Sequence, residues 1–83
     1  MPRIVRNGYT TVTISANGEI TKGITFDSPL ASTNNVTIIA TVYGADCIVT
    51  GISQITVNGF TLLAYNLSSV VQSDITIRYV VIQ

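Results

Sequence analysis

Apolar and polar residues alternate with a period of two along most of this chain, the spacing that puts successive side chains on opposite faces of a strand. Over residues 9–14, Val12 and Ile14 share one face. Over residues 19–26, Ile20, Ile24 and Phe26 share a face, and Lys22 interrupts the row. Over residues 60–65, Phe60, Leu62 and Ala64 oppose Thr61, Leu63 and Tyr65. Over residues 74–82, Ile75, Ile77, Tyr79 and Val81 alternate with Thr76, Arg78, Val80 and Ile82. Residues 47–55 are less regular and contain Gly51, and glycine inside a strand marks a bulge. No segment sustains the 3.6-residue apolar period of a helix. The pattern predicts an all-β chain.

Residues 35–43 differ from the rest. Val36, Ile38, Ala40 and Val42 form one face, while Ile39 and Tyr43 stand on the other among threonines. A sandwich strand needs only one buried face. The second apolar row predicts a second burial surface, supplied most simply by another copy of the chain, with Ile39 and Tyr43 at the interface.

Turn chemistry separates these segments. Asn17-Gly18 accepts the positive φ of a tight turn, which predicts a first hairpin of residues 9–15 with residues 19–26. Pro29 cannot donate to a ladder, so Asp27-Ser28-Pro29 closes the second segment. Gly44-Ala45-Asp46 is a turn, and Asn58-Gly59 is read as a tight turn with positive φ ahead of Phe60. Residues 66–73 form a polar loop with Val70-Val71 inside it. Every connection is short, so residues 1–83 form one β-sandwich domain, with residues 1–8 as an N-terminal arm.

Composition agrees: Ile, Val and Thr supply 34 of 83 residues, and their side chains suit a pleated surface. A domain of this size has little margin between burial and conformational entropy. Disulfides, metals or partner chains are the usual remedies. Cys47 is alone and His is absent, so an internal disulfide, a transition-metal site and a cofactor are not expected. A partner chain remains. Charged residues are 10% of the chain and cancel to zero, against roughly 25–35% on an ordinary small-domain surface. Zero net charge gives no electrostatic case for nucleic acid, and Arg3 and Arg6 read as a solvated terminus. No apolar run exceeds five residues, far from the ~20 of a spanning helix. The opening Met1-Pro2-Arg3-Ile4-Val5-Arg6-Asn7-Gly8 does not look like a signal peptide.

Nothing points to catalysis. There is no histidine base and no nucleophile elbow. Glu19, Asp27, Asp46 and Asp74 are scattered, and the three aspartates stand at strand ends, where Asp supports turns. Cys47 has neither His nor helix N-terminus beside it and reads as an inert thiol. Tyr9, Tyr43, Tyr65 and Tyr79 each offer an apolar face with a polar tip, which suits sugar stacking and subunit interfaces alike. Tyr79, flanked by Ile77 and Val81, reads as packing; Tyr65, at the edge of a polar loop, is the better ligand contact.

Three stretches carry a family resemblance: Gly23-Ile24-Thr25-Phe26-Asp27-Ser28-Pro29, Val57-Asn58-Gly59-Phe60, and the closing Asp74-Ile75-Thr76-Ile77-Arg78-Tyr79-Val80-Val81-Ile82. Their order resembles the H-type lectin domain of invertebrate agglutinins and similar modules on phage fibres. The resemblance covers residues 19–83. It implies a six-stranded antiparallel β-sandwich that assembles as a homotrimer or a multiple of one. It also implies a sugar cleft between subunits, formed by residues 16–19 of one and residues 65–69 of the next. On this chain those loops supply Asn17, Glu19, Tyr65, Asn66 and Ser68. Where agglutinins place an aromatic residue and often a His in the second loop, this chain has Leu67 and Ser68. It has no basic residue near Cys47, and it has Tyr79 where the family usually has Trp. An opening Met1, few charges, and neither signal peptide nor disulfide pair fit a phage structural protein better than a secreted lectin. The expectation is a non-enzymatic trimeric module on a virion surface or fibre, with a cell-surface receptor or glycan, or other virion proteins, as partners. The alternatives are a purely structural tail or capsid-surface protein without a sugar site, and a free lectin.

Overall fold

The computed structural model describes residues 2–83. Six strands follow in order: β1 (Ile4–Ile14), β2 (Glu19–Thr25), β3 (Thr37–Tyr43), β4 (Ile48–Thr56), β5 (Gly59–Asn66) and β6 (Gln72–Ile82). They form two three-stranded antiparallel sheets, β1-β6-β3 (sheet A) and β2-β5-β4 (sheet B). The all-β, six-stranded sandwich expected from the sequence is the observed fold.

The alternating residues meet between the sheets. From sheet A come Val12, Ile14, Ile75, Ile77 and Val81; from sheet B come Ile48, Phe60, Leu62 and Ala64. Phe26 and Leu30, on the connection after β2, cover the open end. Phe60 joins Phe26 to Tyr79: its ring centroid lies 6.1 Å from the first and 5.2 Å from the second, the latter edge to face. Arg6 closes the same end. Its guanidinium donates to the carbonyls of Ser28 and Pro29 (3.0 and 3.2 Å) and lies over the Phe26 ring.

The expected hairpin of residues 9–15 with residues 19–26 does not form. The turn exists, with Asn17 at φ 54° and Gly18 N–H donating to Ser15 O at 2.9 Å. It carries the chain from one sheet to the other instead of folding it back. β1 pairs with β6, matching two eleven-residue strands, and β2 pairs with β5. The turn's outward hydrogen bonds go to the end of β5 and the loop after it: Asn17 N donates to Ser68 O and Asn66 N donates to Gly18 O, each at 2.8 Å.

Three further expectations change. Pairing begins at Ile4, so residues 4–8 of the expected arm belong to β1, with a bulge between Ile4 and Arg6; Met1, the first residue of that arm, lies outside the described residues. The irregularity of β4 is at Gln54 (φ 51°), not at Gly51, which pairs regularly with Leu63. Asp74 is inside β6 at a bulge with φ 56°, not at a strand end. Gly59 does follow a tight turn between β4 and β5 and has the expected positive φ, 159°, at the extended margin of that range. Glycine is needed there for space as well as for φ: a Cβ would collide with the Ile24 carbonyl on β2.

The molecule is long and narrow, 41 × 19 × 18 Å. Residues 3 and 83 sit side by side, Arg3 N to Gln83 O at 3.2 Å and Gln83 N to Arg3 O at 3.0 Å. The chain therefore enters and leaves at one end, here termed the base. β1, β3 and β5 run from base to tip, so residues 15–18, 44–47 and 67–71 form the tip.

Candidate functional site

Both loops expected to carry a ligand are at the tip, and they meet within one chain. The hydrogen bonds from Asn17 N to Ser68 O and from Asn66 N to Gly18 O bind them together, and Glu19 pairs directly with Tyr65. The five expected residues are thus neighbours, but in different roles.

Asn66 is the fastener of the tip. It is only 2% exposed. Its Nδ2 donates toward the carbonyls of Ile14, Ser15 and Val70 at 3.2, 3.1 and 2.8 Å. Its Oδ1 accepts from the amide and hydroxyl of Ser68 at 2.9 and 2.8 Å, with the Cys47 thiol at 3.7 Å. A primary amide offers two donors and one acceptor oxygen, so its capacity is used within the chain. The Ser68 hydroxyl is also engaged, 2.9 Å from Val70 O and 3.3 Å from both Val70 N and Gln72 Nε2. Asn66 and Ser68 therefore hold the loop through bonds within the chain. Asn17 and Glu19 are exposed and Tyr65 is half-buried, which leaves those three at the surface.

The apolar side chains of this loop follow no strand or helix period in the sequence. Leu67, Val70 and Val71 are 66%, 63% and 53% exposed. Val49, beside Tyr65 across the β4–β5 ladder, is also exposed. The tip is thus an apolar knuckle on a tightly bonded loop.

A second surface lies on the outer face of sheet A. The register aligns Asn7, Val80 and Ile39 in one row, Tyr9, Arg78 and Thr41 in the next, and Thr11, Thr76 and Tyr43 in a third. Ile39 and Tyr43, the expected interface residues, are about half exposed, at 49% and 51%. Ile4 and Tyr9 share this face and are more exposed still. The Arg78 guanidinium lies 5.2 Å from the centre of the Tyr43 ring, a cation–π contact. A shallow depression of about 330 Å³ runs between Tyr9, Asn7, Arg78 and Val80. Alternation within each strand indicated these outward residues, but their grouping depends on β6 standing between β1 and β3.

Tyr79, on the inner side of sheet A, has its phenol pushed above the ordinary tyrosine range, first by burial and then by the Asp27 carboxylate. Among the described residues no three His, Cys, Asp or Glu side chains gather as metal ligands, and no helix is long and apolar enough to cross a membrane.

Neither a protein-family model nor a curated protein matches the sequence. Among solved structures, the chain is similar to the fibre of the P. aeruginosa R1 pyocin, in a structure comprising its C-terminal residues 323–701. The TM-score is 0.71 at 14% identity, over 93% of this chain. This chain spans 22% of the length of that one. At such identity the likeness is one of fold.

Proposed function

We propose that this domain is a non-enzymatic module of a fibre or surface structure on a phage or phage-like particle, built as a homotrimer through the outer face of sheet A. The observation that carries the reading is that face: Ile4, Tyr9, Ile39 and Tyr43 lie uncovered around Arg78. Tyrosine and arginine are enriched where interface energy concentrates. The shape adds to it. A radius of gyration of 13.3 Å exceeds the ~12 Å typical of a free domain of this length, and a narrow prism packs well side by side along a fibre. The similarity in fold to a pyocin fibre segment supports the same setting, a virion location included.

A glycan or receptor site between subunits, as in H-type lectins, is the second reading. It retains Asn17, Glu19 and Tyr65 and loses Asn66 and Ser68 to internal bonding. Without a free aromatic face on the loop beyond Tyr65, sugar affinity falls in the millimolar range, about −4 kcal/mol per site, and attachment depends on several sites acting together. The assembly role is favoured over it.

Light scattering on the purified chain at micromolar concentration tests the proposal. The expected mass is three copies or a multiple of three. Ile39→Asp should dissociate it, because an unpaired buried charge costs on the order of 3–5 kcal/mol. A stable wild-type monomer, or an assembly untouched by Ile39→Asp and by Tyr43→Ala, defeats the reading. A glycan array together with calorimetry at high sugar concentration decides the second one.

A further inference from the structure

The geometry points to the tip as a docking surface for a protein partner that presents apolar side chains ringed by lysine or arginine. The inference takes from the reading above only that the domain is displayed on a particle, and it does not depend on how copies assemble.

The first observation is direction. The chain enters and leaves at the base, where Arg3 and Gln83 pair. Residues 67–71 are at the other end of a molecule 41 Å long. The paired Arg3 and Gln83 and the tip loops thus stand at opposite ends of the domain.

The second is preparation of the loop. Exposed apolar residues on a loose loop collapse, or lose conformational freedom on binding, and that ordering weakens the complex. Here the loop is already fixed by a buried asparagine and a fully bonded serine hydroxyl. Leu67, Val70 and Val71 are held outward by that bonding. Burying them against a partner recovers apolar area without first ordering the backbone.

The third is charge, which selects the partner. Glu19, Asp46 and Asp74 all stand on or beside the tip loops, and no lysine or arginine stands among residues 13–20, 43–49 or 64–74. Arg3 and Arg6 are at the base, Lys22 stands mid-strand on β2 opposite Leu62, and Arg78 lies on the sheet-A face over Tyr43. The net charge is zero for the whole chain but negative at this end. Such a rim repels nucleic acid and anionic headgroups. The knuckle residues Leu67, Val70 and Val71 are aliphatic, and the nearest ring, Tyr65, is half-buried, so the surface offers little to a sugar. What remains complementary is an apolar protein surface with a cationic border, in which the carboxylates steer approach and exclude polyanionic competitors.

The test uses the intact 83-residue chain, labelled for amide NMR, and short peptides as probes. A peptide of alternating Lys and Leu should move the signals of Leu67, Val70, Val71 and Glu19, with affinity falling as salt is raised. Peptides of alternating Glu and Leu, or of Lys and Ser, should not. Leu67→Ser with Val70→Thr should weaken the Lys–Leu peptide at least tenfold. Both positions are exposed, so an unchanged melting temperature confirms that the variant is folded. Glu19→Gln with Asp46→Asn should flatten the salt dependence. The proposal is overturned by an unmoved tip, by equal shifts with the Glu–Leu peptide, or by shifts confined to Ile39 and Tyr43. It is also overturned if the tip signals move with protein concentration alone, since the occupant is then a second copy. Repeating the titration on Ile39→Asp separates the two readings: loss of assembly with retained tip shifts leaves the docking surface standing by itself.

Discussion

Gly8 and Tyr79 face one another across the β1–β6 ladder, and a Cβ at Gly8 would stand 2.6 Å from the phenolic oxygen and 2.8 Å from the ring carbon that bears it. The ring cannot swing away freely, because its other side meets Phe60 edge to face at 5.2 Å. In an open strand, Gly→Ala gains about 0.5–1 kcal/mol from reduced backbone entropy. Here the sign should reverse. Gly8→Ala is expected to destabilise by about 1–3 kcal/mol through overpacking, read by chemical denaturation. Tyr79→Phe in the same chain should recover part of the loss, since it removes the nearest atom. A stabilising Gly8→Ala would show that the ring has another place to go.

Gly59 is constrained from a different direction. A side chain there would collide with the backbone of Ile24, which cannot rotate aside as a side chain can. That contact sits where β5 pairs with β2, next to the Thr25–Gly59 pair. Gly59→Val should therefore pry β2 from the centre of sheet B, with a loss of at least about 3 kcal/mol, in the range of the severe core substitutions. Gly23→Ala is the control, because nothing lies within 4 Å of a Cβ at Gly23. Equal melting temperatures for Gly59→Val and wild type would contradict the close approach.

These two glycines also mark the limit of what the sequence discloses. The strands were legible from local spacing, since Ile75, Ile77 and Val81 alternate as a half-buried strand must. Which strands pair was not, because Asn17-Gly18 signals a reversal whether the chain folds back in one sheet or crosses to another. The bulges at Gln54 and Asp74 both have positive φ: Asp74 is a residue type that tolerates it but also suits a strand end, and Gln54 carries no such preference. Asn66 reads as a polar loop residue and a ligand contact. Its burial follows from carbonyls 51 and 52 residues away, Ser15 and Ile14. Ile39 and Tyr43 were legible as outward residues because one strand suffices to see both faces.

Tyr79 gives the fold a pH limit on the alkaline side. Burial, reinforced by Asp27, raises its phenol above the usual value, which is about 10. The folded pKa is the higher one, so its contribution is complete below the unfolded pKa. It declines above that point and is lost as pH passes the folded pKa. Stability should hold through neutral pH and fall above roughly pH 10. Tyr79→Phe should flatten that decline, and Asp27→Asn should move it to higher stability by removing the second cause. Denaturation midpoints measured from pH 8 to 11 check both, and an identical slope in Tyr79→Phe would assign the alkaline loss to other groups.

Asn66 should prove the most sensitive polar residue of the tip. Asn66→Ala leaves the carbonyls of Ile14, Ser15 and Val70 without their shared donor. The Ser15 carbonyl still accepts from Gly18 N–H and the Val70 carbonyl from the Ser68 hydroxyl, so the Ile14 carbonyl and the Ser68 amide bear the loss, which is expected at about 1–3 kcal/mol for an unsatisfied buried group. Asn66→Asp separates bonding from size. Its carboxylate would face three carbonyl oxygens and could donate to none, which raises its folded pKa above the unfolded value. The variant should then be least stable at neutral pH and recover as pH falls, because the protonated acid regains one donor. Wild type has no ionisable group at this position and should show no such recovery. If Asn66→Asp has a flat profile between pH 3 and 7, the side chain has left the network, and the tip loop is not held as described.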